Sequence, residues 1–258
     1  MKKTNFHTHT SYCRHALGTA ADYAASAAES GLSCFGISDH GPFPNHDFGL
    51  RMLAEELPAY VNEVTQLKKQ YQSTMPIRLG LEIEYLSFQE DWYPRLLKEY
   101  SIDYLVLGEH FLESSDRKLL NIYAATSTTD YLLYASALEK GMRSGFFAFA
   151  AHPDLMFFND FAWDENCEEA CNIILSAAKE LDFILEYNAN GYRRGRQPFC
   201  DGARYAYPHR RFWKKAAEAN IRTIINSDCH APEQVWDWAM ELAHKEAAAL
   251  GLTVVTSF

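Results

Sequence analysis

The sequence predicts an α/β fold on a parallel sheet: a (β/α) barrel of about seven strands, or the same units left open as a doubly wound sheet. Short apolar segments alternate with amphipathic ones along the 258 residues, the order that parallel strands with helical crossovers require. At 48% hydrophobic and 22% charged residues the composition is ordinary for a globular chain, and a chain this long buries about three quarters of its unfolded surface without staples. Each strand candidate also ends in a residue type that can bind a metal, and in parallel barrels the C-terminal strand ends form the active face.

Taken in order, TNFHTH (4–9) ends at His7 and His9, with His15 close behind. A helical stretch over about 18–30 should stop at Gly31, where a C-terminal cap is expected. LSCFGISDH (32–40) ends at Asp39 and His40, and the stretch 52–73 places Leu53, Leu57, Val61, Val64 and Leu67 on the stripe of a covering helix. PIRLGLEIEY (76–85) carries Glu82 and Glu84 and leads into a helix over 90–100. DYLVLGEH (103–110) ends at Glu109 and His110, before a helix over 127–144. FFAFAAH (146–152) ends at His152, before one over 165–181. DFILEYNAN (182–190) offers Glu186 and Asn188, and 209–220 is helical. IRTIINSDCH (221–230) ends at Asp228 and His230, and the last helix, 232–250, should stop at Gly251. No Gly-x-Gly-x-x-Gly follows the first strand, which removes the main dinucleotide signature. No linker or internal repeat divides the chain, so one domain over 1–258 is expected.

So many histidines and carboxylates in one small volume would face a severe desolvation and repulsion cost, which divalent metals remove. Imidazole with carboxylate suits zinc, manganese or iron. A single histidine after a strand is ordinarily a hydrogen-bonded loop residue; the recurrence at every strand end is what speaks for a site. His46, His209 and His244 lie outside the pattern and keep the ordinary reading, although His209 adjoins an arginine-rich loop. The six cysteines are irregularly spaced without Cys-x-x-Cys, so free thiols are expected, with Cys13 and Cys229 only marginal ligand candidates. A net charge of −10 argues against nucleic acid as the main partner but allows a small phosphorylated substrate. There is no signal-peptide h-region and no apolar run near the ~18 residues of a membrane span, so a cytoplasmic protein is expected.

FHTHTSYCRH, GISDHGPF, GLEIEY, GEHF, AHPD, EYNANGYRR and NSDCH follow one another in order. This series resembles the PHP superfamily (polymerase and histidinol phosphatase domain), with spacing closest to its stand-alone histidinol-phosphate phosphatases, from residue 4 to about 232. The resemblance implies a distorted (β/α)7 barrel holding three divalent metals (zinc, manganese or iron). It assigns one to His7, His9, Glu82 and Asp228, a second to Glu82, His110 and His152, and a third to His15, His40 and His230. No ligand position is missing.

The implied reaction is hydrolysis of L-histidinol phosphate, by direct attack of a metal-bridging hydroxide and without a phosphoenzyme. Glu82, Asp228 and Asp39 are the expected catalytic residues, with Asp39 either a proton donor or the group that orients His40. The loop NGYRRGRQPFCDGARYAYPHRR is basic within an acidic chain. Arginine meets phosphate oxygens as a bidentate fork, so Arg193 is expected to bind phosphate, as a similar arginine does in NxxGxR family sequences, and Arg196 is the second choice. Arg210 and Arg211 read as a solvated helix start, while Glu113, Asp154, Phe157, Phe158 and Trp163 are candidates for shaping the leaving-group pocket. A monomer or small homo-oligomer is expected, without membrane or nucleic-acid partners. The nearest alternative is a PHP phosphoesterase for a sugar phosphate, nucleotide or oligonucleotide. Less expected are a non-enzymatic metal-binding module and an amidohydrolase, the latter because LVLGEHF offers no metal-bridging lysine.

Overall fold

The computed structural model describes residues 2–114 and 118–258, and all seven expected strands are present and parallel. They are β1 (Thr4–Asn5), β2 (Cys34–Ile37), β3 (Ile77–Ile83) and β4 (Tyr104–Leu107), then β7 (Phe149–Ala150), β8 (Ile184–Asn188) and β11 (Arg222–Asn226). Between them lie two small antiparallel hairpins that the periodicity did not flag: β5 (Phe111–Glu113) with β6 (Leu119–Asn121), and β9 (Gln197–Phe199) with β10 (Gly202–Arg204). An eighth parallel strand, β12 (Thr253–Val255), extends the sheet beyond the seven expected by pairing with β11. At three residues it is too short to show a period.

The sheet order β1-β2-β3-β4-β7-β8-β11-β12 curls so that β1 returns toward β11. Closure there is irregular. One parallel bridge joins Thr8 to Cys229, and elsewhere asparagine side chains take the place of ladder bonds. Asn226 Oδ1 accepts from the Phe6 amide at 2.8 Å, and Asn5 Oδ1 accepts from the Ser227 amide at 3.0 Å. A strand two residues long cannot satisfy its neighbours with backbone alone, so buried amides complete the accounting. This is the distorted seven-unit barrel of the expectation, with β12 against the lower half of β11.

The main helices lie where the apolar stripes put them: α1 (Ala20–Glu29), α2 (Leu57–Tyr71), α3 (Trp92–Lys98), α4 (Thr129–Ser144), α5 (Glu165–Glu180), α7 (Arg210–Glu218) and α8 (Trp238–Leu250), with a single turn, α6 (Asn190–Arg193), after β8. Thr19 and Asp22 form a capping box at α1, and the Asp164 and Asp237 side chains cap α5 and α8. Gly31 and Gly251 take the left-handed conformation at helix ends, as expected. Leu57, Tyr60, Val64 and Leu67 of α2 are buried in the layer between sheet and helices. A second core fills the barrel interior with Phe6, Tyr104, Val106, Phe149, Ala151, Ile184 and Ile224, against which Phe258 packs. Burying aromatics of this kind stabilises by about 1.5–3 kcal/mol each. Among the described residues no helix is long and apolar enough to cross a membrane, and none of the six cysteines is bonded to another.

Candidate metal centre

At the C-terminal ends of the strands the nine expected ligand side chains converge, though they come from six segments of the chain. Glu82, near the end of β3, sits at the middle. Its Oε2 lies 2.9 Å from His40 Nδ1, 3.3 Å from His7 Nε2 and 3.4 Å from His9 Nε2. Its Oε1 lies 2.9 Å from His152 Nε2 and 3.6 Å from His110 Nε2. Asp228 Oδ1 is 3.1 Å from His9 Nε2 and 3.7 Å from His7 Nε2. His15 and His230 face each other through Nε2 atoms 2.9 Å apart, with His40 beside them.

Neighbours fix which atom of each ligand points inward. His7 Nδ1 donates to Glu186 Oε1 at 2.8 Å, His15 Nδ1 to the Cys13 carbonyl at 2.8 Å and His230 Nδ1 to the Asp228 carbonyl at 3.1 Å. Each bond fixes a proton on Nδ1 and turns Nε2 toward the centre of the cluster. Glu84 accepts from His110 Nδ1 at 3.3 Å and is gripped by both terminal nitrogens of Arg51 at 2.9 Å. Asn188 and Asn190 donate to Asp228 Oδ2 at 3.1 and 3.3 Å, so Oδ1 is the oxygen that faces the histidines.

This donor set fits divalent cations. His7 and His9 present Nε2 atoms to each other at 3.0 Å, as His15 and His230 do, an approach that lone pairs tolerate only with a proton or a cation between them. Among the described residues, Glu82 Oε2, close to three imidazoles, makes no aligned hydrogen bond, and His9 Nδ1 and His152 Nδ1 are buried without partners. Burial, reinforced by neighbouring imidazoles, pushes His230 down to about 3 and lowers His15 and His40, so these rings stay neutral as ligands must. For Glu82 and Asp228 burial favours the neutral acid, but the surrounding histidines prevail and hold both carboxyls well below their usual range. His152 and Asp228 also adopt left-handed backbone, φ 28° and 47°, strain of a kind that collects at functional sites.

Glu82 needs one further concession from the chain. A Cβ on Gly108 would lie 2.3 Å from Glu82 Oε1, so GEH opens with glycine because the central carboxylate fills that space. Gly108→Ala is therefore expected to fold yet lose most of its metal and at least ~10²-fold of its activity, the size of a misplaced active-site group. Metal content and kcat/KM on one preparation would check this, and a fully loaded, fully active variant would contradict it.

The candidates outside the ligand set fare differently. Arg193 does not reach the cavity. Its Nε and Nη2 bond Asp237 at 2.8 and 2.9 Å, and its terminal nitrogens also bond the Ser227 carbonyl, Ser227 Oγ and the Gln234 carbonyl. Arg196 is exposed and bonds the Ala203 carbonyl. The arginine of this loop that lines the cavity is the neighbouring Arg194, whose Nε donates to Tyr207 Oη at 3.0 Å; Arg51 also lines it but is held by Glu84. Among the described residues the terminal amino groups of Arg194 have no hydrogen bond. The turn of α6 decides between adjacent arginines, and a sequence motif cannot see that one-residue rotation. Asp39 is fully buried and accepts both the amide and the hydroxyl of Thr10 at 2.8 Å, so it braces the loop behind β1 and contacts neither His40 nor the cavity. Burial pushes its carboxyl up to about 6.

Of the pocket candidates, Phe158 lines the cavity. Glu113 instead accepts from Ser87, and Asp154 accepts from the His209 amide and Trp213 Nε1. Glu109 is buried away from the ligands and accepts from the Tyr85 amide at 2.9 Å. Cys229 donates to Thr8 Oγ1, and the Cys13 thiol, 4.0 Å from His15 Nε2, is pushed up by burial to about 12. His46 and His244 stack on Phe48 and Trp236.

His209 packs against both Phe157 and Trp163, which also stack on each other, and burial and then Arg204 lower it to about 4. The unfolded chain therefore takes up this proton first as pH falls. Stability from His209 is present above about 6.5 and is lost progressively down to about 4, an effect of about 3 kcal/mol. His209→Phe keeps the stack and removes the titration. Its Tm should fall less than the parent's between pH 7 and pH 4.5, and equal falls would contradict the assignment.

A family model described as PHP domain matches residues 5–190. A Deinococcus radiodurans protein named probable histidinol-phosphatase is 30% identical over 236 residues, covering 89% of this chain and 86% of that protein. A Bacillus subtilis histidinol-phosphatase is 24% identical over 260 residues, covering 89% and 94%. Among solved structures, a putative histidinol phosphatase from Listeria monocytogenes superposes with a TM-score of 0.73 at 23% identity, over 92% of this chain and 98% of that one. A histidinol phosphate phosphatase from Lactococcus lactis, complexed with zinc, L-histidinol and phosphate, gives 0.72 at 17% identity over 100% and 97%. At these identities the two structures establish the fold.

Proposed function

The chain belongs to the PHP domain family, and from that membership we propose that it is a metal-dependent phosphomonoesterase that converts L-histidinol phosphate and water to L-histidinol and phosphate. One observation carries the reading: nine ligand-type side chains converge at the strand ends, and most of them open on one cavity of about 440 Å³ whose remaining wall holds Arg194, the Glu84-bound Arg51 and a set of apolar rings. The cavity is sized for a small molecule. Both curated relatives are named for histidinol phosphatase activity and match 89% of this chain. The Lactococcus lactis structure holds zinc together with both products of that reaction.

We assign His7, His9, Glu82 and Asp228 to one divalent cation. Glu82, His110 and His152 would take a second, and His15, His40 and His230 a third. Zinc, manganese and iron all suit these donors. Bound there, such cations would neutralise phosphate oxygens and make a water acidic enough to attack at neutral pH. The protein's own groups do the rest. Glu186 and Glu84 set the tautomers of His7 and His110, Arg51 fixes Glu84, and Asn188 with Asn190 aims Asp228. Arg194 offers two free amino groups to a phosphate oxygen, a charge-assisted contact. The chain works as one domain over 1–258, and with six unpaired cysteines it is suited to a reducing cytoplasm.

Steady-state kinetics on L-histidinol phosphate, a sugar phosphate, a nucleotide and p-nitrophenyl phosphate, with metal content measured on the same sample, tests this. A kcat/KM on L-histidinol phosphate of at least ~10⁴ M⁻¹s⁻¹ and well above the others is expected. Weak turnover of all four by metal-loaded protein would overturn the substrate.

A further inference from the structure

Part of the cavity lining is apolar, and one residue of it is strained. Phe48, Leu50 and Phe111 form one apolar stretch of that lining, while Tyr123 stacks on His110 and Phe158 lies under Arg194. The four rings support one another: Phe48 stacks on Phe111 at 5.1 Å, and Tyr123 meets Phe158 edge-on at 5.0 Å. Leu50 has no such support. It is 62% exposed and holds a left-handed backbone, φ 47°, directly after Gly49 at φ 68°. A branched side chain in that region is unfavourable, and persists only where the surroundings over-determine it.

The neighbouring residues supply that constraint. The next residue, Arg51, is 4% exposed and clamps Glu84 with both terminal nitrogens, beneath Phe48 at 5.0 Å. Its carbonyl accepts from Arg14 Nε at 2.9 Å. Glu84 Oε1, held by Arg51 Nη2, also accepts from His110 Nδ1. The loop is thus pinned to Glu84 and His110 one residue from Leu50, and an apolar side chain that lines the cavity is left mostly exposed.

We propose that Leu50 is a specificity-determining residue that packs over the ring of the substrate's leaving group. The phosphate belongs at the ligand wall and Arg194, so the leaving group must occupy the apolar side. An exposed leucine in the lining gains burial in proportion to the apolar area laid against it, and a ring offers more of that area than a short polyol chain. The choice of an imidazole as that ring rests on the histidinol phosphate reading; the preference for a ring does not.

The test compares Leu50→Ala with the parent on L-histidinol phosphate and on glycerol phosphate, which has no ring. The kcat/KM ratio between them should fall about 10-fold in the variant, and Leu50→Met should restore most of it. An unchanged ratio overturns the proposal, as does an equal loss on both substrates. If the parent fails to use L-histidinol phosphate, the substrate reading falls alone. The same ratio is then read with p-nitrophenyl phosphate as the ring-bearing ester, and again a drop supports Leu50 while no change refutes it.

Discussion

Glu82→Gln should fold and yet lose most of its bound metal and at least ~10³-fold in kcat/KM, about 4 kcal/mol of transition-state stabilisation. The amide keeps the shape of the side chain but replaces one anionic oxygen with a donor. The carboxylate stands among five histidines, three near Oε2 and two near Oε1, all within 3.6 Å. Without the negative charge the site holds cations less well, and two of the three assigned ion positions share this residue. Metal content by elemental analysis, far-UV circular dichroism and kcat/KM on one sample separate the cases. A metal-replete, active Glu82→Gln protein would remove Glu82 from the bridging role.

The second large effect separates two adjacent arginines. Arg194→Ala should raise KM for the phosphate ester by about 30- to 100-fold, equivalent to about 2–3 kcal/mol for a charged hydrogen bond, with little change in Tm. Arg193→Ala should do the reverse in kind. It leaves Asp237 and the Ser227 carbonyl without their buried partner, and removing one side of such a pair costs about 3–5 kcal/mol of stability. Tm and KM measured on both variants decide it. If Arg193→Ala raised KM at unchanged Tm while Arg194→Ala did not, the roles drawn from the cavity would be exchanged.

The contrast between these neighbours shows what the sequence could and could not convey. The candidate ligand histidines and carboxylates were legible because they recur after every barrel strand, and the topology sends all those ends to one face. The helices were legible from their stripes, as in Leu57, Val64 and Leu67. Arg194 was not, because a single turn after β8 decides which of two adjacent arginines faces the cavity. Asp39 sits beside His40 in sequence, yet its carboxylate turns toward Thr10 on the neighbouring strand's loop. Glu84 and Glu186 were visible as strand-end acids, but their work as hydrogen-bond partners of His110 and His7 depends on distances no spacing encodes. β12 and the two hairpins, each strand three residues long, carry too few residues for a period to emerge. Leu50 gave no signal at all, since its meaning lies in a backbone angle.

The most direct test of the account is anomalous diffraction from crystals of the metal-loaded protein, collected at the zinc, manganese and iron edges. The account predicts three peaks: one among His7, His9, Glu82 and Asp228, one among Glu82, His110 and His152, and one among His15, His40 and His230. Peaks elsewhere on the protein, or none at the strand ends in protein that is catalytically active, would contradict it.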